Sequence, residues 1–435
     1  MSIRICWRRL GSIEPTTPWQ FTYNRERAFG LIIGDFPAVE RLSIPNLRSG
    51  DGQPVDLLIE ADRLASIGPA PQPGSQVNET IDGGGRLVIP ALVDAHAHMD
   101  KSLLGRDWYV NETGPTLQEM VNTERRYRVE HNIDFREQTC CVGRRMIASG
   151  TTHTRSFVDI DTDIGLSAFE GLVQTREDLK DGLSIQIVAF PQSGMLIRPG
   201  TVELMDEALR NGADVVGGLD PSSMDRDPKG HLDTIFAMAE RHDKDIDIHL
   251  HEPGDLGAFS IELIAERTRV LGFEGRVAIS HAFSLGGVNA AYLETLIELL
   301  LANNIAIMSH GPSGGRPAPP VKRLREAGVR LCAGNDGIRD TWGPLNMPDM
   351  LLRAFLIAYR NNFRRDEDVQ IALDMCTYGG ANVIGLQGYG TTVGDVADLV
   401  IVDGQNPTEA MIERPARWLV LKAGQIVARD GCCLI

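Results

Sequence analysis

The middle of the chain alternates between short apolar runs and longer segments with helical periodicity. Eight apolar runs recur, and each is followed by a helical pattern or a long loop. They are RLVIPALVDAHAH, TTHTRSFVDI, LSIQIVAFP, ADVVGGLD, DIDIHLHE, RVAISH, IAIMSH and VRLCAGND. Such alternation predicts parallel strands joined by crossover helices. Eight repeats favour a closed α/β barrel, the (β/α)8 or TIM barrel, over an open sheet.

An open doubly wound sheet is the alternative to the barrel. Such a sheet usually carries a glycine-rich phosphate-binding turn directly after its first strand. At that position this chain has the sequence D-A-H-A-H, residues 94–98. The barrel is therefore the favoured architecture.

Both ends of the chain have a different pattern from the middle. Short β runs separated by Gly and Asp turns fill residues 38–90 and return in residues 388–435. We expect them to pair as one small β-sandwich domain formed from both chain ends. Residues 91–387 would then form the catalytic barrel. Residues 1–37 show no clear periodicity and are expected to be a weakly ordered N-terminal extension.

Composition narrows the range of partners. The chain has 43 Lys and Arg against 59 Asp and Glu, a formal charge of −16. Binding to nucleic acid or to an acidic membrane surface relies on basic residues, so neither partner is expected. No apolar run is long enough to span a membrane. The odd number of cysteines, seven, and the absence of a C-x-x-C motif indicate a reducing, cytoplasmic setting.

Polar residues cluster where the predicted strands end, which is the face that carries the active site of a (β/α)8 barrel. His96 and His98 are two residues apart, so both side chains can point into the barrel mouth. The fifth run ends in His249-Leu250-His251-Glu252, the sixth in His281 and the eighth in Asp336. Imidazoles and a carboxylate converging on one mouth predict a site for a divalent metal ion, Zn²⁺ or Fe²⁺.

Not every histidine belongs to this pattern. A single H-x-H pair can also be a satisfied surface pair, but His and Asp at the ends of four strands make that reading weaker. The other histidines are first assigned to surface or structural roles, although two of them, His153 and His310, also lie near strand ends. These residues are His131, His153, His231, His242 and His310.

The order H-x-H, His, His, Asp over eight β/α runs resembles the amidohydrolase superfamily, and within it the cytosine deaminase group. The resemblance covers about residues 55–430. It is carried by IQIVAFPQSG (185–194), GADVVGGLDP (212–221), IDIHLHE (246–252), RVAISH (276–281) and CAGNDGIRDTW (332–342).

The resemblance implies a role for each matching residue. One divalent metal ion would be held by His96, His98, His249 and Asp336. Glu252 matches a proton-shuttling glutamate, His281 a histidine that contacts the metal-bound water, Gln192 a glutamine that binds the substrate's ring amide edge, and Trp342 an aromatic wall. Members with two metals have a bridging Lys or Glu on strand four. Residues 213–221 contain neither, so a mononuclear site is expected.

The chemistry of these residue types supports hydrolysis. A bound divalent ion lowers the pKa of water from about 15.7 to about 7, so hydroxide is available at neutral pH. Asp336 can act as general base, and Glu252 in a dry pocket can keep a proton to donate. The leading hypothesis is hydrolytic deamination of a cytosine-like nitrogen heterocycle, with hydroxide attacking the amino-bearing ring carbon and ammonia released.

Departures from the cytosine deaminase pattern keep other substrates open. Those enzymes usually have paired Asp residues where Gly337 here follows Asp336. Residues 98–101, VGGLDP, His251 and NDGIRDTW instead resemble the N-isopropylammelide amidohydrolase branch, which removes an alkylamine from an s-triazine. That branch has Asp in place of Glu252. Hydrolysis of an alkylamino group from an oxo-s-triazine is therefore the alternative, followed by hydrolysis of a cyclic amide and by a non-catalytic metal-binding barrel.

Two residues have open roles. Lys101 either reaches the pocket and neutralises an anionic ring oxygen, or forms a salt bridge at the barrel rim. His251 enters the pocket only if the fifth strand ends at His249. Asp340 and Arg339 are expected to fix the loop after strand eight rather than to bind substrate. The substrate is expected to be a small molecule and the protein a homo-oligomer.

Overall fold

The computed structural model describes residues 40–68, 77–312 and 314–435, and the predicted extension 1–37 lies outside them. The strands are β1 (Arg41–Arg48), β2 (Pro54–Glu60), β3 (Arg63–Gly68), β4 (Glu79–Thr80), β5 (Arg86–Pro90), β6 (Leu92–His98), β7 (Thr151–Asp159), β8 (Ser184–Phe190), β9 (Val215–Leu219), β10 (Asp245–His249), β11 (Val277–Ser280), β12 (Ala306–Ser309), β13 (Leu331–Ala333), β14 (Asp336–Gly337), β15 (Leu399–Val402), β16 (Arg417–Lys422), β17 (Gln425–Arg429) and β18 (Cys432–Cys433). The helices are α1 (Leu117–His131), α2 (Phe135–Ala148), α3 (Ser167–Asp178), α4 (Thr201–Arg210), α5 (Pro228–His242), α6 (Gly254–Leu271), α7 (Ala290–Ala302), α8 (Val321–Ala327), α9 (Met350–Arg360), α10 (Asp366–Met375), α11 (Tyr378–Val383) and α12 (Pro407–Glu413).

Strands β6 to β13 lie side by side in chain order and are all parallel. The eighth strand is interrupted: β13 pairs with β12, and β14 pairs with β6. The sheet therefore closes on itself, and the predicted (β/α)8 barrel is confirmed.

Alternation along the strands separates the inside of the barrel from its helical shell. Val158 of β7 and Ala189 of β8 belong to the large cluster that includes helix residues. Their neighbours Phe157 and Phe190 belong to a small cluster of strand residues together with Val188. Because strand side chains alternate between faces, β7 and β8 bury both faces, one against helices and one inside the barrel.

Closure requires a glycine where strand eight meets strand one. A Cβ atom at Gly334 would lie 2.3 Å from the backbone oxygen of His96 and 2.4 Å from its Cβ. No side chain fits at that separation, so only glycine allows the two strands to approach there. This crossing is what places Asp336 next to the histidines of β6.

Strands from both chain ends form a second sheet, as predicted. Its order is β18-β17-β16-β15-β5-β1-β2-β3, with β4 paired to β1. The two ends of the chain meet where β15 pairs antiparallel with β5, in the register Val400↔Ile89. The sheet has its own apolar core, which includes Leu42, Ile44, Ile59, Val88, Leu399, Ile401, Leu419 and Leu421.

A buried polar cluster joins this sheet to the barrel. Nζ of Lys422 lies 2.7 Å from Nε2 of His153 and 3.2 Å from Oδ2 of Asp398. His153 is near the start of β7, at the end of the barrel away from the site residues. Burial lowers the pKa of Lys422, an effect opposed by the Asp398 carboxylate. His153 thus lies where it can hold the two sheets together.

No helix in the described part of the chain is both long enough and apolar enough to cross a membrane. The described cysteines are Cys140, Cys141, Cys332, Cys376, Cys432 and Cys433, and all are free thiols.

Replacing Lys422 by methionine is expected to lower the free energy of unfolding by about 3–5 kcal/mol, because Asp398 would remain buried without its cation. Urea unfolding measures this change. The matched control is Lys180→Met, which removes an exposed pair with Glu177 and should leave the free energy of unfolding nearly unchanged. Equal effects of the two substitutions would contradict a role of the buried cluster in stability.

Candidate active site

Four predicted metal ligands meet at the carboxyl ends of the barrel strands. His96 and His98 come from β6, His249 ends β10, and Asp336 begins β14. One ligand atom from each residue lies within 4.8 Å of the others. The parallel register of a closed barrel brings these strand ends to one mouth.

The ligand atoms face one another directly. Nε2 of His98 lies 3.2 Å from Nε2 of His249 and 3.4 Å from Oδ1 of Asp336. Nε2 of His96 lies 3.6 Å from the same oxygen and has no hydrogen-bond partner among the described residues. Three imidazole nitrogens and one carboxylate oxygen around one point fit a divalent ion such as Zn²⁺ or Fe²⁺.

The charge states also suit metal binding. Burial, and then the positive charge of Lys101, lower the pKa of His98 to about 3. Burial also lowers the pKa of His249. Burial alone would raise the pKa of Asp336, but the surrounding imidazoles, first His281, hold it well below its usual range. Neutral histidines and an ionised aspartate are the forms that bind a metal.

A chain of hydrogen bonds orients the first ligand. Nδ1 of His96 lies 2.9 Å from Oγ of Ser280, which donates to Oδ1 of Asp247 at 2.7 Å. Arg155 in turn donates to Oδ2 of Asp247 at 2.8 Å. Such a chain fixes the ring of His96 so that Nε2 faces the other ligands.

A cavity of about 240 Å³ opens above the ligands. Seven of the ten predicted site residues line it, and His96, Glu252 and His281 do not. The lining consists of His98, Lys101, Gln192, His249, His251, Asp336, Gly337, Asp340, Trp342, Gly343, Leu345 and Asn346. The volume suits a single-ring ligand.

Lys101 lines the cavity and is not a salt bridge at the rim. Its side chain is 3% exposed, and Nζ donates to Oε1 of Gln192 at 2.5 Å and pairs with Asp159 at 2.9 Å. Nζ also lies 5.3 Å from the centre of the Trp342 ring. Burial alone would lower the pKa of Lys101, but Asp159 and Glu124 raise it. The cavity therefore has a permanent cation in its wall.

His251 lines the cavity, two residues after His249, at which β10 ends. Its Nδ1 lies 2.8 Å from Oδ2 of Asp220, and its ring stacks on His281 with 4.4 Å between centres. Asp220 therefore fixes one nitrogen of the His251 ring and leaves Nε2 for the cavity.

Glu252 does not line the cavity, and both of its carboxylate oxygens accept hydrogen bonds. Oε1 accepts hydrogen bonds from the backbone N–H groups of Ser222 and Ser223, each at 2.7 Å. Oε2 accepts from the hydroxyl of Ser260. Burial raises the pKa of Glu252, and these hydrogen bonds oppose the rise. The carboxylate is held against the loop after β9.

Two residues that the sequence analysis assigned to other roles lie at the site. His310 follows β12, and its Nδ1 lies 3.2 Å from Nδ1 of His281. The two rings and Asp336 form a second set of closely spaced potential ligands. Asp340 lines the cavity although it was expected only to fix its loop. The position of His310 at the end of the seventh run was the one signal available for it.

Backbone conformation at the site is unusual. The φ angles of His281 and Asp336 are 72° and 62°, in the left-handed region that non-glycine residues seldom adopt. Asp220, the partner of His251, has φ of 38°. Such residues tend to concentrate where function requires a particular side-chain direction.

Three histidines and an aspartate at the carboxyl ends of the strands of a (β/α)8 barrel fit the active site of a metal-dependent hydrolase. The model of the Amidohydrolase family matches residues 142–428. The chain belongs to this family and is a hydrolase of carbon–nitrogen bonds, so the predicted superfamily is confirmed.

Three relatives refine the comparison. The chain is 34% identical over 382 residues to N-isopropylammelide isopropyl amidohydrolase of Pseudomonas sp. (strain ADP), covering 86% of this chain and 94% of that protein. The structure of N-isopropylammelide isopropylaminohydrolase from Burkholderia multivorans is 42% identical with a TM-score of 0.87, covering 90% of this chain and 99% of that one. The 5-methylcytosine deaminase of Klebsiella pneumoniae, liganded with 5-fluorocytosine, is 28% identical with a TM-score of 0.79, covering 89% and 97%.

Replacing Ser280 by alanine is expected to weaken metal binding about 10- to 100-fold, because Nδ1 of His96 loses its partner. Competition with a chelator measures the metal affinity. The control is Ser167→Ala on the exposed start of α3, which should leave the affinity unchanged. An unaltered affinity in the Ser280 variant would show that the hydrogen-bond chain does not orient His96.

Proposed function

We propose that this enzyme hydrolyses the exocyclic carbon–nitrogen bond of an alkylamino-substituted oxo-s-triazine and releases the alkylamine. The sequence pattern put a cytosine-like pyrimidine first and this reaction second. The relatives described as N-isopropylammelide hydrolases are 34% and 42% identical, against 28% for the 5-methylcytosine deaminase. This difference supports reversing the order.

The buried cation in the cavity wall is the observation that carries the proposal. Lys101 is 3% exposed and held by Gln192 and Asp159, so its ammonium group cannot turn out to solvent. Asp159 and Glu124 already balance the charge of Lys101, but its ammonium group has three donor hydrogens, and Gln192 and Asp159 occupy at most two of them. The third can donate to a ring oxygen, and a charged oxo group of an acidic triazine accepts a stronger hydrogen bond than the carbonyl of a neutral aminopyrimidine.

The metal site defines where the reaction takes place. His96, His98, His249 and Asp336 would hold one divalent ion, Zn²⁺ or Fe²⁺. When bound, such an ion supplies an activated water of lowered pKa. Asp336, whose pKa is depressed, is ionised and can accept a proton at Oδ2, because Oδ1 faces the histidine ligands. His281 packs beside His249 with 5.0 Å between ring centres and can orient the attacking water.

Proton delivery to the leaving nitrogen is assigned to His251 rather than to Glu252. His251 lines the cavity, while the oxygens of Glu252 already accept hydrogen bonds from the loop after β9 and from α6. A general acid must reach the atom that it protonates. Water adds to the ring carbon, the bond from carbon to the exocyclic nitrogen breaks, and that nitrogen leaves as a neutral amine after taking one proton.

The metal-loaded enzyme is expected to release isopropylamine from N-isopropylammelide with a kcat/KM at least about 100-fold above that for ammonia release from cytosine or 5-methylcytosine. Amine release followed by chromatography measures the first reaction, and a coupled ammonia assay measures the second. Faster turnover of either pyrimidine would favour the deaminase alternative. If the enzyme instead opens the ring of a cyclic amide, that result would favour the alternative of cyclic amide hydrolysis.

Substitutions of His251 and Glu252, which follow β10, should affect activity differently. His251→Asn is expected to lower kcat by about 10²- to 10⁴-fold, the usual contribution of a general acid. Glu252→Gln should keep most of the activity, because an amide can still accept from Ser222 and Ser223 and can donate to Ser260. Steady-state kinetics with metal content as control distinguish them. A larger loss of kcat in Glu252→Gln than in His251→Asn would indicate that Glu252, and not His251, delivers the proton.

A further inference from the structure

The two carboxylate oxygens of Asp340 have different surroundings. Oδ1 accepts hydrogen bonds from the backbone N–H groups of Trp342 at 2.8 Å and Gly343 at 3.1 Å. These contacts fix the turn that carries Trp342 along the cavity. The role expected from the sequence, fixing the loop after strand eight, is thus fulfilled by one oxygen.

The other oxygen has no such role. Asp340 is 6% exposed and lines the cavity, and Oδ2 has no hydrogen bond among the described residues. A Cβ atom at residue 337 would lie 2.1 Å from this oxygen. Gly337 therefore leaves the space that Oδ2 occupies, next to Asp336.

Because Asp340 lines the cavity and its Oδ2 accepts no hydrogen bond from the described residues, a donor on a ligand in the cavity can bind this oxygen. Burial raises the pKa of Asp340 to about 6, so the group is still largely ionised at neutral pH. The cavity wall also holds donors, namely Nζ of Lys101 and Nε2 of Gln192, which has no partner among the described residues. The wall thus offers both donors and one acceptor.

We propose that Oδ2 of Asp340 binds a ring N–H of the substrate, while Lys101 and Gln192 bind a ring oxygen. The cavity would therefore select a heterocycle that presents both a carbonyl oxygen and a neighbouring ring N–H, a cyclic ureide edge. Asp340 is then a determinant of specificity and not only a loop residue. The inference rests on the proposed function, because it names the ring edge that the same cavity recognises.

Asp340→Asn tests the proposal sharply. The amide oxygen can still accept from Trp342 and Gly343, so the turn is preserved, but the atom that replaces Oδ2 becomes a donor. The dissociation constants of cyanuric acid and uracil, two rings with N–H groups, are measured by titration calorimetry on the metal-loaded wild-type and variant proteins. The variant is expected to bind the better wild-type ligand about 10- to 100-fold more weakly.

A second variant reaches the same oxygen by another route. Gly337→Ala places a methyl group against Oδ2 and should weaken binding to a similar extent, with the metal content measured to show that Asp336 still binds. The matched control is Asp395→Asn, which alters a carboxylate that holds a loop through Thr392, away from the cavity. It should leave both dissociation constants unchanged.

The outcomes separate this inference from the proposed function. If the wild type fails to hydrolyse N-isopropylammelide but Asp340→Asn weakens binding of an N–H ring, the function fails and the inference stands. If the variant binds both rings as the wild type does, or if the wild type binds neither ring, the inference is overturned. With N-isopropylammelide as substrate, the loss should appear mainly in KM.

Discussion

The site depends on how the barrel closes. Strand eight breaks at Gly334, where no side chain fits against His96, and continues beside strand one as β14. Asp94 of strand one accepts hydrogen bonds from the backbone N–H and the side chain of Asn335, which holds the break in place. The carboxylate of Asp336 can then face His96 and His98. Without this crossing the aspartate would follow β13 and remain beside strand seven.

A second constraint is the burial of charge beneath the cavity. Lys101 and Arg128 share three carboxylates, those of Asp100, Glu124 and Asp159. Burial raises the pKa of Glu124 to about 8, whereas Arg128 and Lys101 outweigh burial and hold that of Asp159 at about 2. The cluster therefore keeps Lys101 charged and immobile. A charge fixed in this way can recognise a substrate oxygen without losing side-chain entropy on binding.

The turn that follows β10 sets the directions of two side chains at the site. The strand ends at His249, Asp220 hydrogen-bonds both the backbone and the ring of His251, and the imidazole faces the cavity. The same turn directs Glu252 toward Ser260 of α6. Because the backbone changes direction after His249, the adjacent side chains of His251 and Glu252 lie in different surroundings.

Local sequence patterns were enough to predict the architecture and the residues that converge at the barrel mouth. Strand and helix periods are local properties of the sequence, and the strand ends of a closed parallel barrel must meet at one mouth. The pattern therefore predicted that His96, His98, His249 and Asp336 lie close together. Gln192 and Trp342 followed from the resemblance. Tertiary contacts bring Lys101 and Asp340 to the cavity wall and His310 next to His281. Each depends on contacts between residues far apart in the chain, and the direction of a side chain beyond a strand end is set by those contacts and not by sequence period.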